Sequence, residues 1–143
     1  SPAGDFRVTA KADRVDITKD GKINIIDYKT GKARSKKEVE NAFAPQLPIE
    51  GLIAKNGGFS DIKKADVNEL IYWQLAKKDT VISENIDDVL SNNLQRLAEL
   101  VHLFDFETTP YLSRPNPKRV PEYSDYEHLA RVKEWSIQEL ADD

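Results

Sequence analysis

A chain of 143 residues with 39% hydrophobic and 32% charged residues suits one domain around a single core. It contains no cysteine, which excludes disulfides and an iron–sulfur cluster held by this segment, and no run of 18 or more apolar residues that would read as a membrane helix. Its formal net charge of −4 is the wrong sign for a generally basic nucleic-acid binder, so any phosphate contact depends on how the charge is distributed.

There is no methionine, not even at position 1, and a strand is expected to begin within the first ten residues. The chain therefore reads as an N-terminally truncated piece of a longer protein. The first clear element is a β-hairpin. Lys19-Asp20-Gly21-Lys22 carries an Asp-Gly turn signal between two runs rich in Val and Ile. A three-residue loop centred on Asp20, with Gly21 left-handed, would set Asp13 opposite Asp27. A two-residue loop would shift the register by one, and turn chemistry alone does not choose between them.

The second strand ends in Ile25-Ile26-Asp27-Tyr28-Lys29-Thr30-Gly31. Strand alternation puts Asp27 and Lys29 on one face and turns Tyr28 away, leaving the Tyr28 backbone carbonyl near them. Two carboxylates, Asp13 and Asp27, with that carbonyl suit a hard divalent cation such as Mg²⁺ rather than Zn²⁺. Lys29 beside the ion could orient or deprotonate water and offset charge on a phosphodiester. The plainer reading, a solvated polar strand face with Asp13 an ordinary surface acid, fits the spacing equally well.

Next, Lys29, Lys32, Arg34, Lys36 and Lys37 form a basic segment, with the last four as candidate DNA contacts; singly, each is expected to be a solvated surface lysine or arginine. Ser35 caps a short helix reaching Ala42, with Glu38 completing a capping box. Pro45 starts another, from Gln46 to Lys55, stopped by Asn56-Gly57-Gly58 and packed on the sheet. Val67 to Ala76 reads as a central strand in which Tyr72 and Trp73 are expected in the core rather than stacked on bases. From Ser83 or Asn85 a long helix carries Ile86, Val89, Leu90, Leu94, Leu97, Leu100, Val101 and Phe104 as a core-packing stripe; His102 on it is expected to be structural. Thr108 to Pro121 reads as an irregular surface segment, and a last helix is expected from about Asp125 to Leu140. The strand–helix–strand order implies an α/β domain with a mixed sheet. No phosphate-binding loop and no Gly-x-Ser-x-Gly nucleophile signature occurs.

The order Asp13, then Asp27-Tyr28-Lys29-Thr30-Gly31, then Gln46 resembles the PD-(D/E)XK nuclease superfamily, in particular its RecB-like branch. More closely, Ala10-Lys11-Ala12-Asp13-Arg14-Val15-Asp16, Ile25 through Lys32, Phe43 through Glu50, and Tyr111 through Ala130 resemble the C-terminal nuclease domain of AddB-type subunits of bacterial helicase-nuclease complexes. The resemblance implies a single restriction-endonuclease-like α/β core over residues 1–143, a mixed β-sheet flanked by helices. It implies a Mg²⁺-dependent DNA exonuclease, with Mn²⁺ as a substitute ion, that trims DNA ends in double-strand break repair. Asp13, Asp27 and the Tyr28 carbonyl would be metal ligands, Lys29 the catalytic lysine, and Gln46 part of the family's glutamine motif. DNA and an AddA-type helicase-nuclease subunit would be the partners, in the bacterial cytoplasm. Two features depart from the pattern: the motif's usual tyrosine is Glu50 here, and the acid or histidine expected on a helix upstream of the first strand is missing. The alternative is a non-catalytic scaffold of the same fold that binds DNA or docks the helicase.

Overall fold

The computed structural model describes residues 4–75 and 79–112. The chain divides into two compact units, Ser1–Phe106 and Glu107–Asp143, and every described helix and strand lies in the first. The last expected helix and the segment after Leu112 lie outside the described residues.

The hairpin is built by β1 (Arg14–Ile17) and β2 (Ile23–Lys29). Its loop has Gly21 at φ +81, with Thr18 N–H donating to Lys22 O at 2.8 Å and Gly21 N–H to Thr18 O at 3.0 Å. That left-handed glycine gives the longer of the two loops, and the register pairs Arg14 with Ile26 and Ile17 with Ile23. Extending it by one residue puts Asp13 opposite Asp27. No strand is found among the described residues 4–13, where one was expected to begin within the first ten, and β1 starts at Arg14. The ladder stops there because Tyr28 N–H bonds the Asp13 carboxylate, Oδ2, at 3.1 Å.

After the hairpin, α1 (Lys36–Glu40) opens on Ser35 with both capping-box bonds formed. Five residues are too few to hold a helix alone. The long helix α3 (Ile86–Phe104) supports it by capping its carbonyls: Asn92 Nδ2 donates to Glu40 O at 2.6 Å and Asn93 Nδ2 to Val39 O at 3.0 Å. Helix α2 (Gln46–Lys55) follows, with Pro48 in its first turn, where a missing N–H leaves no bond unmade. It crosses back to β3 (Val67–Gln74), which runs parallel to β2, and the short β4 (Thr80–Ile82) completes the order β1-β2-β3-β4. This is the mixed sheet flanked by helices that the sequence implies. Three residues of β4 are too few to show a strand pattern, which is why only the structure reveals it.

One sheet face carries the core. Ile23 and Ile25 of β2 lie beside Leu70 and Tyr72 of β3, under Val39, Leu47 and Ala54 from α1 and α2, with Ile86, Val89 and Leu90 of α3 closing the side. Helix α2 sits low on this face. A Cβ at Gly51 would meet Leu90 Cδ2 at 2.9 Å and Leu70 Cδ2 at 3.4 Å. Two expectations are corrected. Trp73 is 42% exposed because it points to the opposite face, where it packs on Tyr28, while Tyr72 takes the core position. The apolar stripe of α3 is buried only at Ile86, Val89 and Leu90, in its first turns, whereas Leu94 and Leu100 are exposed. Among the described residues no helix is long and apolar enough to cross a membrane.

Leu70→Ala should cost about 2–5 kcal/mol in urea unfolding, and Leu100→Ala, at an exposed position, no more than about 0.5 kcal/mol. Equal losses would contradict the boundary of the core drawn here.

Candidate active site

Asp27 continues the buried row of β2 after Ile23 and Ile25 and is only 3% exposed. A carboxylate removed from water needs cationic or hydrogen-bonding partners. Lys29, two residues on and on the same face, brings Nζ to 2.7 Å from Oδ2. Gln46, the first residue of α2, donates from Nε2 to Oδ1 at 2.5 Å. Lys29 Nζ also donates to Gln46 Oε1 at 3.3 Å, which closes a ring of three side chains. The ring sets the amide's orientation, oxygen toward the ammonium and nitrogen toward the carboxylate.

Beneath the ring lies Tyr72, paired with Asp27 in the parallel register and 1% exposed. Lys29 Nζ stands 5.5 Å from its ring centre, within cation–π range. Burial first, then the charges of Asp27 and Glu50, push the Tyr72 hydroxyl up to about 12, so it keeps its proton. Next to it in β3, Gln74 donates from Nε2 to Gly31 O and holds the chain leaving the site.

Glu50 follows Gln46 by one helical turn and shares its face of α2. It is 2% exposed. Its Oε1 accepts from Gln46 Nε2 at 3.3 Å, and its Oε2 has no hydrogen-bond partner among the described residues. Burial, reinforced by the negative charges of Asp27 and Asp13 and opposed by Gln46 and Lys29, raises its carboxyl to about 7.

The residues singled out in the sequence thus separate into two groups. Asp27, Lys29 and Gln46 are in contact, and Asp13 lies near enough for its charge to act on Glu50, although one of its oxygens is engaged by Tyr28 N–H. The Tyr28 ring points away, as alternation requires, and is 43% exposed. Of the basic segment only Lys29 belongs to the ring of three side chains, and Arg34 lies near enough for its charge to act on Tyr72. Arg34 pairs with Glu38 at 3.6 Å, and Lys36 with Glu40 at 3.9 Å and Glu84 at 3.7 Å, while Lys32 and Lys37 are exposed. Glu50, Tyr72 and Gln74 are absent from the set chosen by sequence. For Glu50 a signal exists: it is an acid four residues after Gln46 in a helix otherwise lined by Leu47, Ile49, Leu52 and Ile53.

The donors here are oxygens, a set chemically suited to a hard cation. Among the described residues no group of three or more His, Cys, Asp or Glu converges as a ready-made ion site. The buried, unpartnered Glu50 Oε2 and the dense negative charge around it are nevertheless what such an ion would compensate.

A family model described as the PD-(D/E)XK nuclease superfamily matches residues 2–141. An uncharacterized protein of Rickettsia conorii is 35% identical over 86 residues, 57% of this chain and 10% of that protein. One from Rickettsia felis is 45% identical over 56 residues, 39% of this chain and 6% of its own length. The chain therefore spans a tenth or less of these relatives. No solved structure matches.

The raised Glu50 carboxyl gives a pH signature. With a folded value near 7 and an ordinary value of 4.5, the folded chain holds a proton that the unfolded chain has released, so stability falls as pH rises through this window and stays low above it. Glu50→Gln should flatten the profile and, in metal-free buffer at pH 8, be more stable than the parent by on the order of 3 kcal/mol. Parallel urea-unfolding profiles for the two from pH 4 to 8 would refute the assignment.

Proposed function

Because the chain belongs to the PD-(D/E)XK nuclease superfamily, we propose that it hydrolyses phosphodiester bonds in DNA with a divalent cation, Mg²⁺ or Mn²⁺, at the Asp27–Lys29–Gln46 centre. The observation that carries this reading is the ring itself. A buried carboxylate, a lysine 2.7 Å from it and a glutamine bonded to both form a preorganised charged centre that packing alone does not require.

Asp27 and Asp13 would hold the ion, with the Tyr28 carbonyl as a further oxygen. When bound, such an ion supplies charge neutralisation at the phosphate and lowers the pKa of water. The chain's own groups do the rest. Lys29 Nζ, held 2.7 Å from Asp27, keeps its ammonium beside the carboxylate, where it can donate to a phosphate oxygen or to an attacking water. Tyr72 and the core residues below exclude water from the floor of the site, which strengthens each charge interaction above it. Gln46 bonds both members of the Lys29–Asp27 ion pair and so ties α2 to the end of β2.

The finer reading is an exonuclease that trims DNA ends during double-strand break repair, as part of an AddB-like subunit working with an AddA-type helicase partner. It rests on the likeness of the motifs around Asp13, Asp27 and Gln46. With no phosphate-binding loop in the chain, ATP for such a motor would bind to other protein. Lys32, Arg34, Lys36 and Lys37 would line the DNA path.

Asp27→Ala should lower Mg²⁺-dependent degradation of linear DNA about a thousandfold, roughly 4 kcal/mol of transition-state stabilisation. Lys29→Ala should fall in the same range and, by leaving the buried Asp27 carboxylate without its cation, also lower the midpoint of urea unfolding, whereas Asp27→Ala should keep the parent's circular dichroism. Parent-level rates in Asp27→Ala would sink the proposal.

A further inference from the structure

Glu50 is the buried charged group that the reading above leaves without a task. It is 2% exposed, one of its oxygens lacks a hydrogen-bond partner, and it stands on the α2 face that carries Gln46 over the site. Burying an acid in this way is costly, and a hydrophobic residue on the packed face of α2 would avoid the cost. Its only side-chain hydrogen bond described is to Gln46 Nε2, the same nitrogen that donates to Asp27 Oδ1. An amide N–H₂ thus sits between two carboxylates, at 2.5 Å from one and 3.3 Å from the other, where its positive end does what a bridging cation does.

We propose that Glu50 is a further ligand of the divalent cation, binding it jointly with Asp27 between the two carboxylates, where the Gln46 amide nitrogen stands in this structure. The inference rests on the metal-dependent reading of the site. Formal charge supports it: three carboxyl groups, Asp13, Asp27 and Glu50, against the one ammonium of Lys29 leave two negative charges once an ion has drawn off any proton, and one divalent ion cancels them. Asp13 and Asp27 alone against Lys29 would leave the ion with one positive charge in excess. The carboxylates do not yet converge, so ion binding requires the Gln46 side chain to leave the gap. Gln46 is exposed at the first turn of α2, and rotation about its own side-chain bonds takes the amide outward without moving the helix. Glu50 then gains a partner for its free oxygen, and an acid from α2 joins the hairpin in holding the ion.

The test is Mn²⁺ titration of the chain at pH 8, read in two ways. On the unmodified chain, traces of paramagnetic Mn²⁺ should broaden the side-chain carboxyl carbon signals of Glu50 and Asp27 together. By calorimetry, Glu50→Gln should weaken Mn²⁺ binding at least about tenfold, with its amide spectrum otherwise intact and its Mn²⁺-induced rise in Tm correspondingly smaller. Glu50→Gln binding Mn²⁺ as the parent does overturns the proposal and leaves the metal-dependent reading standing. No saturable binding and no broadening at millimolar Mn²⁺ overturns both. Should Glu50→Gln fold poorly, Glu50→Asp is the second variant: its shorter carboxylate should also weaken Mn²⁺ binding, and binding at the parent's level overturns the proposal.

Discussion

The carboxylate of Asp27 is buried two residues before the end of β2, and satisfying it organises the surroundings. An unpaired charge there would cost several kcal/mol, enough to threaten a domain of this size. Lys29 reaches it only because β2 stays extended for two more residues, and Gln46 reaches it only because α2 begins directly above. The seat of α2 depends in turn on Gly51, since a side chain there would push against Leu90 and Leu70. The parallel pairing of β2 with β3 adds Tyr72 below and Gln74 beside the exit from the strand. Core packing and site geometry are thus one arrangement: the helix that covers Ile25 and Leu70 also brings Gln46 and Glu50 to Asp27.

What was legible in the sequence follows from the range of the interactions involved. The hairpin register could be narrowed to two choices because Asp20-Gly21 is a local signal, and the capping box at Ser35 and Glu38 is likewise contained within four residues. Long-range polar contacts left no such trace. That Asn92 and Asn93 of α3 would satisfy carbonyls of α1 cannot be inferred from either segment, because the bonds join residues more than fifty positions apart. Trp73 and Tyr72 are adjacent aromatics in one strand, and which of them faces the core depends on the phase set by β2. In the site, Asp27, Lys29 and Gln46 were readable from spacing and resemblance. Glu50 was read as a departure from a motif, although an isolated acid in an apolar helix already raises the question of what it faces.

Charge explains how an acidic chain can have a basic flank. Arg34 and Lys36 are engaged with Glu38, Glu40 and Glu84 at separations of 3.6 to 3.9 Å, all between side chains with substantial exposure. Exposed pairs of this kind contribute roughly 0.3–0.5 kcal/mol, less than a charge-assisted bond to a phosphate oxygen at about 1.5–3 kcal/mol. Such residues can exchange an internal acid for a polyanion at little cost. The net charge of −4 therefore does not decide the matter; the local competition does, and it is sensitive to salt.

The same competition operates inside the site. Lys29 and the Gln46 amide compensate the buried Asp27 carboxylate with groups of the chain itself, a task that small domains assembled around structural zinc leave to the ion. On the metal-dependent reading proposed for this site, that compensation lowers affinity, because a cation displaces hydrogen bonds already made. Glu50 works in the opposite direction. Its buried carboxylate, with one oxygen unpartnered among the described residues, gains little from its present hydrogen bond, and on the proposed reading the ion relieves it. On that reading, a centre held by Lys29 and Gln46 and drawn toward a divalent ion by Glu50 suits a cation that exchanges during turnover rather than one built permanently into the fold.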